Sequence, residues 1–180
     1  MKKTFILLSI LLAAVACAPK DVQTINVVPY PNEVNVKSGE FCVVGADMAY
    51  SATCDELTKN LVNAFAQQLT LVTGVESEVT EGKTADGFTF TLAENIPHEA
   101  YILNVTKKGV EVKASGLNGF NYAIQTIKQM LPAEVYGKVA AADKAWTLPC
   151  VYINDAPRFS YRGLHMDESR HFFGMDEVKR

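Results

Sequence analysis

The residues from Pro157 to Arg180, PRFSYRGLHMDESRHFFGMDEVKR, restrict the architecture of this chain more than any other stretch. Pro157 lacks a backbone donor and stops whatever element precedes it. Phe159, Tyr161 and Gly163 then alternate with Ser160, Arg162 and Leu164, the period of a strand. His165, Asp167, Glu168, Ser169, Arg170 and His171 crowd into the next seven positions. After Phe172, Phe173 and Gly174, Asp176 and Glu177 read as the acidic first turn of a helix. A strand with ionisable groups at its carboxyl end, followed by a helix, is a βα unit. In a (β/α)8 barrel that end of each strand is where chemistry collects. One unit cannot close a barrel, so residues 155–180 are expected to be the start of a truncated one.

The stretch before it reads as a small supporting domain, residues 25–154. Ile25–Val28 is a β-type run that meets the turn residues Pro29, Tyr30, Pro31 and Asn32. Val34 and Val36 alternate with polar residues, Ser38 and Gly39 signal a turn, and Phe41–Val44 returns, which together predict a hairpin. Thr53 is a candidate cap for a helix with Asp55 and Glu56 in its first turn, a stripe of Leu57, Leu61, Phe65 and Leu69, and Gly74 as its stop. Phe88–Leu92, Tyr101–Val105 and Val110–Ala114 predict three more strands. Ser115–Leu131 predicts a second helix that Pro132 ends, and Trp146–Ile153 a last strand. The expected class is α+β: a mostly antiparallel sheet with two helices on one face, followed by the first βα unit of a barrel.

The first seventeen residues read as a leader. Lys2 and Lys3 precede an apolar run, Phe5–Val15, too short to span a bilayer comfortably, and Ala13, Ala14 and Ala16 lead to Cys17. That arrangement resembles a bacterial lipoprotein cleavage site, with Cys17 as the lipidated first residue of the mature chain, residues 18–24 as a tether, and the membrane as a partner. An ordinary secretory signal is the plainer reading; both imply export. Cys42, Cys54 and Cys150 show no metal-ligand spacing and read as small buried residues. A net charge of −3 and scattered lysines give no footprint for nucleic acid.

Few residues carry candidate chemistry. Arg162 offers a planar fork suited to vicinal hydroxyls or to a carboxylate, so both a substrate contact and an ion pair with an acid are open to it. Asp167 and Arg170 can pair locally, with His171 donating to a nearby acceptor, as a shell that shapes a loop. His165 has no partner at metal-ligand spacing. Gly116 and Gly119 lack the pattern of a phosphate-binding loop and read as close packing of the second helix on the sheet.

The words DAPRFSYRG, RGLHMDESRHFF and DEVKR resemble the start of the catalytic barrel in family 20 glycoside hydrolases, the β-N-acetylhexosaminidases. VPYPNEV, and the helix containing Gln125, Thr126 and Ile127, resemble the domain that precedes that barrel. The resemblance implies substrate-assisted, retaining hydrolysis of terminal N-acetylhexosamine from glycans, without metal or organic cofactor. By motif position Arg162 would contact sugar hydroxyls, with Asp167, Arg170 and His171 as its supporting shell. The family's catalytic Asp-Glu pair stands in an H-x-G-G-D-E context, which this chain lacks. Asp176 and Glu177 are not that pair, so no catalytic residue is assigned and the chain is expected to be inactive. A non-catalytic glycan-binding or interaction domain at the cell surface is the alternative.

Overall fold

The computed structural model describes residues 24–179 other than 168, 170, 171 and 173. Its centre is a seven-stranded sheet: β1 (Glu33–Cys42), β2 (Asp47–Tyr50), β3 (Val79–Glu81), β4 (Gly87–Leu92), β5 (Tyr101–Val105), β6 (Val110–Ala114) and β7 (Thr147–Asp155). The helices are α1 (Glu56–Thr73), α2 (Leu117–Met130) and the short α3 (Gly174–Val178), with a 3-10 turn at Ala133–Tyr136.

The spatial order is β1-β7-β5-β6-β4-β2-β3. The expectation of a mostly antiparallel sheet needs correction, because the sheet is mixed. β1–β7, β7–β5 and β5–β6 are antiparallel, whereas β6–β4, β4–β2 and β2–β3 are parallel. Connection length explains the parallel edge: α1 carries the chain back to the starting end before β3 pairs with β2. The tight turn after Thr106 reverses β5 into β6, as the sequence indicates. The hairpin expected around Ser38–Gly39 is also absent. Those residues form a bulge inside β1, which pairs with β7 on both sides of it. Ile25 and Val27 are buried without joining a ladder.

α1 begins one residue beyond its true cap. The cap is Asp55 rather than Thr53: its backbone is extended, and its Oδ1 accepts from the Thr58 N–H at 2.8 Å. Gly74 ends the helix at φ 75°, donating to the Thr70 carbonyl. The buried stripe is Val62, Phe65, Ala66, Leu69 and Val72, while Leu57 is 62% exposed. Four-residue steps overrun a 3.6-residue turn, so a stripe extrapolated back to Leu57 rotates off the core face.

α1 and α2 pack against each other and against the sheet. Along β4, β5 and β6 the buried positions alternate with half-buried ones, so one face meets the helices. Phe88 lies at the middle, edge-on to Phe41 and Phe65 at 5.8 and 5.6 Å between ring centres. Phe90 meets Phe120 of α2 at 6.0 Å. The opposite face carries Thr89, Asn104, Glu111 and Lys113.

Beyond Asp155 the chain runs beside α2, and residues 156–167 join no ladder among the described residues. Phe159 and Tyr161, on one face of the strand that the alternation predicts, are 68% and 88% exposed, and Leu164, on the other, is 87% exposed. Alternation supplies a strand's two faces but not its partner, and without a neighbour there is no ladder.

Candidate functional site

The only concentration of ionisable and aromatic side chains tied to the predicted residues, among those described, lies at one corner of the sheet. Register builds it: Tyr101 at the start of β5 stands opposite Asp155 at the end of β7. Glu99 precedes β5 with a left-handed backbone, φ 66°. α2 approaches closely here, because Gly119 sits against the Ala100 carbonyl oxygen and 2.8 Å from Ala114 Cβ when a Cβ is placed on it. One turn further, Tyr122 reaches Glu99.

The amino-terminal segment crosses the same corner. Asn32 donates its backbone N–H to Asp155 Oδ1 at 3.0 Å and its side-chain amide to the Ala156 carbonyl at 2.8 Å. The Val28 N–H donates to Gln129 Oε1 on α2 at 2.8 Å, immediately before the cis peptide at Val28–Pro29. The strap thus fixes the direction in which the chain leaves β7. Between strap, helix and departing chain lies a cavity of about 460 Å³, lined in part by Tyr30, Tyr101, Tyr122, Gln125, Phe159 and Arg162.

Arg162 closes this cavity. Its Nη2 donates to Glu99 Oε1 and Oε2 at 2.9 and 3.0 Å and to the Tyr122 hydroxyl at 3.1 Å. Its Nη1 donates to the Phe159 carbonyl at 2.6 Å. Tyr122 in turn donates to Glu99 Oε1 at 3.0 Å. Of the two openings its fork allows, the structure fills the one with a carboxylate, supplied by the small domain. The Arg162 guanidinium, then the Tyr122 hydroxyl, hold the Glu99 carboxyl below its usual value of 4.5. A depressed carboxylate contributes stability above its unfolded value and loses it as pH falls through its folded value. The guanidinium NMR signals of Arg162 are therefore expected to stay constant from pH 7 to about 4.5 and to drift toward those of a free arginine only below that. A drift centred near neutral pH would contradict the assignment.

At the cavity floor Tyr101 stands beside Asp155. The hydroxyls of Tyr101 and Thr126 share a hydrogen bond at 2.7 Å, and burial pushes the Tyr101 phenol up to about 12. Neither an anionic Glu99 nor a neutral Tyr101 is poised for proton transfer near pH 7. Among the described residues, no group of three or more His, Cys, Asp or Glu side chains is placed to hold a metal.

Asp167 accepts from the Ser169 N–H and hydroxyl at 2.9 and 2.5 Å, a local turn. Arg170, His171 and Cys17 lie outside the described residues. Asp176 and Glu177 occupy the first turn of α3, the position in which the sequence places them. Sequence reasoning missed Glu99 and Tyr122. An acid before an alternating run and a tyrosine on a helix face carry no local mark, and only the fold brings them within reach of Arg162.

The family described as "Glycosyl hydrolase family 20, domain 2" matches residues 24–156. A β-hexosaminidase of Porphyromonas gingivalis is 28% identical, over 94% of this chain and 23% of that protein. One of Vibrio furnissii is 27% identical, over 89% of this chain and 24% of its own length. The chain thus spans about a quarter of these relatives. Among solved structures, the GH20 β-N-acetylhexosaminidase from Streptomyces coelicolor A3(2) superposes with a TM-score of 0.75 at 28% identity, covering 85% of this chain and 31% of that one.

Proposed function

Because the chain belongs to glycosyl hydrolase family 20, through a match that covers residues 24–156, we propose that it is the amino-terminal part of an exported β-N-acetylhexosaminidase. In this reading residues 25–154 are the non-catalytic domain and residues 155–180 open the catalytic barrel. Cys17 carries the lipid that anchors the protein in a bacterial envelope. The substrate is a glycan with terminal N-acetylhexosamine.

The observation that carries the reading is the course of the chain after β7. The match ends at residue 156, and from there the chain exposes Phe159, Tyr161, Leu164, Phe172 and Met175. Such a row of large apolar side chains is expected where further polypeptide is to pack. In the proposed enzyme the 2-acetamido oxygen of the substrate attacks the anomeric carbon. A glutamate protonates the leaving oxygen, and a neighbouring aspartate orients the acetamido group. Neither acid is supplied by this chain. The small domain's part is to hold the start of the barrel in place.

The test is hydrolysis of 4-nitrophenyl N-acetyl-β-D-glucosaminide. The chain from residue 18 to 180 is expected to release no nitrophenol above a protein-free blank, and the product of the complete reading frame to release it steadily. Release by residues 18–180, or none by the complete product, would overturn the proposal.

A further inference from the structure

We propose that the hollow between the β3–β4 loop and the β5–β6 turn, at the end of the sheet away from the corner, binds a sulfate ester carried by a glycan. The choice of a glycan as carrier rests on the reading above; the anion site itself stands on the geometry.

Lysines scattered along the sequence meet here because β4 and β6 are parallel neighbours. Parallel strands start at the same end, so the loop that enters β4 and the turn that enters β6 lie side by side. Glycine lets them close up: a Cβ placed on Gly109 would stand 2.9 Å from the Gly87 carbonyl oxygen. The Thr106 hydroxyl fixes the turn, donating to the Gly109 carbonyl at 2.9 Å and accepting from the Gly109 N–H at 3.2 Å. The cavity so formed, about 210 Å³, is lined by Lys83 from the loop and Lys108 from the turn. Lys37 reaches its edge from β1. The Lys37 ammonium passes 6.0 Å from the centre of the Tyr152 ring and donates to Oδ1 of Asn104, a lining residue, at 3.1 Å.

The lining is rich in donors and short of acceptors. Among the described residues, neither Lys83 nor Lys108 has an ion-pair partner, and the Thr84 and Thr89 hydroxyls and the Asn104 Nδ2 have no side-chain hydrogen bond. Glu111 is the one carboxylate in the lining, and Lys113 already holds it at 3.0 Å. Asp86, in the same loop, does not line the cavity. Lys37, Lys83, Lys108 and Lys113 thus gather around a single acid, on a chain whose net charge is −3. Such a local excess attracts anions against the sign of the whole molecule.

Size and donor number narrow the ligand. The volume is below the roughly 300–1,000 Å³ of pockets that enclose whole small molecules, which fits one charged substituent of a longer molecule. Five side chains offer donors, more than the two oxygens of a carboxylate can use, whereas a sulfate ester presents three. The carrier has a polar bed beside the hollow, because Thr89, Glu111, Asn104 and Tyr152 stand in one row across four strands. A bilayer surface fits less well: none of the large exposed apolar side chains lines the hollow to enter a membrane.

Dextran sulfate is a suitable probe, since it carries sulfate esters but no N-acetylhexosamine. Calorimetric titration of the chain is expected to show binding that weakens as salt rises, with free sulfate and carboxymethyl dextran binding less tightly and neutral dextran giving no heat. Lys83→Gln and Lys108→Gln should each lower the affinity about three- to five-fold, the upper range for an exposed ion pair, and Glu111→Gln should raise it. Lys59→Gln is the control. Its ammonium lies over Tyr50, at the end of β2 remote from Gly87, so the same change of charge there should leave the affinity unaltered. Equal losses for Lys59→Gln and the two hollow variants would reduce the effect to net charge and overturn the site. Unchanged affinity in both hollow variants, with the thermal transition intact, would do the same. Tighter binding of carboxymethyl dextran or free sulfate, or sedimentation with phosphatidylglycerol vesicles without binding to dextran sulfate, would overturn the sulfated glycan as ligand. If the complete gene product shows no glycosidase activity, the enzyme reading fails, while the titration still decides this site.

Discussion

Phe88→Ala is expected to lower the stability of the small domain by about 3–5 kcal/mol, the range for deleting a fully buried phenylalanine. Phe88 has no accessible surface and meets rings from two different elements, Phe41 on β1 and Phe65 on α1. Alanine removes the apolar area and both edge-on contacts, and the cavity opens between strand and helix, where neither can close in without leaving the sheet. A loss of this size is a large part of the stability of an ordinary domain, about 5–15 kcal/mol. The assay is urea unfolding followed by Trp146, the single tryptophan, which is 3% exposed and donates its Nε1–H to the Ala141 carbonyl at 2.9 Å. Phe88→Leu should cost much less. Equal losses for both variants would mean that ring packing is not what holds the centre.

Gly119→Ala is expected to cost roughly 2–3 kcal/mol, at the upper end of overpacking, although alanine favours helix. The added methyl collides with the Ala100 carbonyl oxygen and comes within 2.8 Å of Ala114 Cβ. The first of these is backbone at the start of β5, so it cannot rotate aside. α2 must lift, and Phe120, packed on Phe90, lifts with it. Gly116→Ala is the control: a Cβ there meets nothing within 4 Å, and its backbone is extended at φ 169°. Thermal melts should separate the two clearly. A Gly119→Ala protein as stable as Gly116→Ala would refute the close approach.

These two glycines show how far the sequence could be read. Their shared packing role holds for Gly119 alone, because sequence marks the absence of a side chain but not what stands opposite. Helix α2 was predictable almost to its ends, since Phe120, Ile124 and Ile127 keep the helical period and Pro132 blocks extension. β5 and β6 were equally plain, as alternation and a tight turn are local signals. The bulge in β1 was not, because Ser38–Gly39 is a turn signal until a partner strand pairs on both sides of it. β2 and β3 escaped notice for their brevity, four and three residues. Of the corner, Arg162 could be singled out from its motif, and so could the choice between hydroxyls and an acid. The acid itself, 63 residues away, could not.

The pairing of β1 with β7 has a consequence in time. Glu33 and Asn154 are partners 121 residues apart. At a synthesis rate of roughly 5–20 residues per second, the first strand waits about 6–24 s for the last to be made. Until then Val34, Val36 and Phe41 have no ladder to join, and the sheet lacks the strand that lies between β1 and β5. The domain is thus barred from closing early on its own amino-terminal half. For the exported protein proposed above, that delay leaves a thread that a translocation channel can draw through before the fold locks.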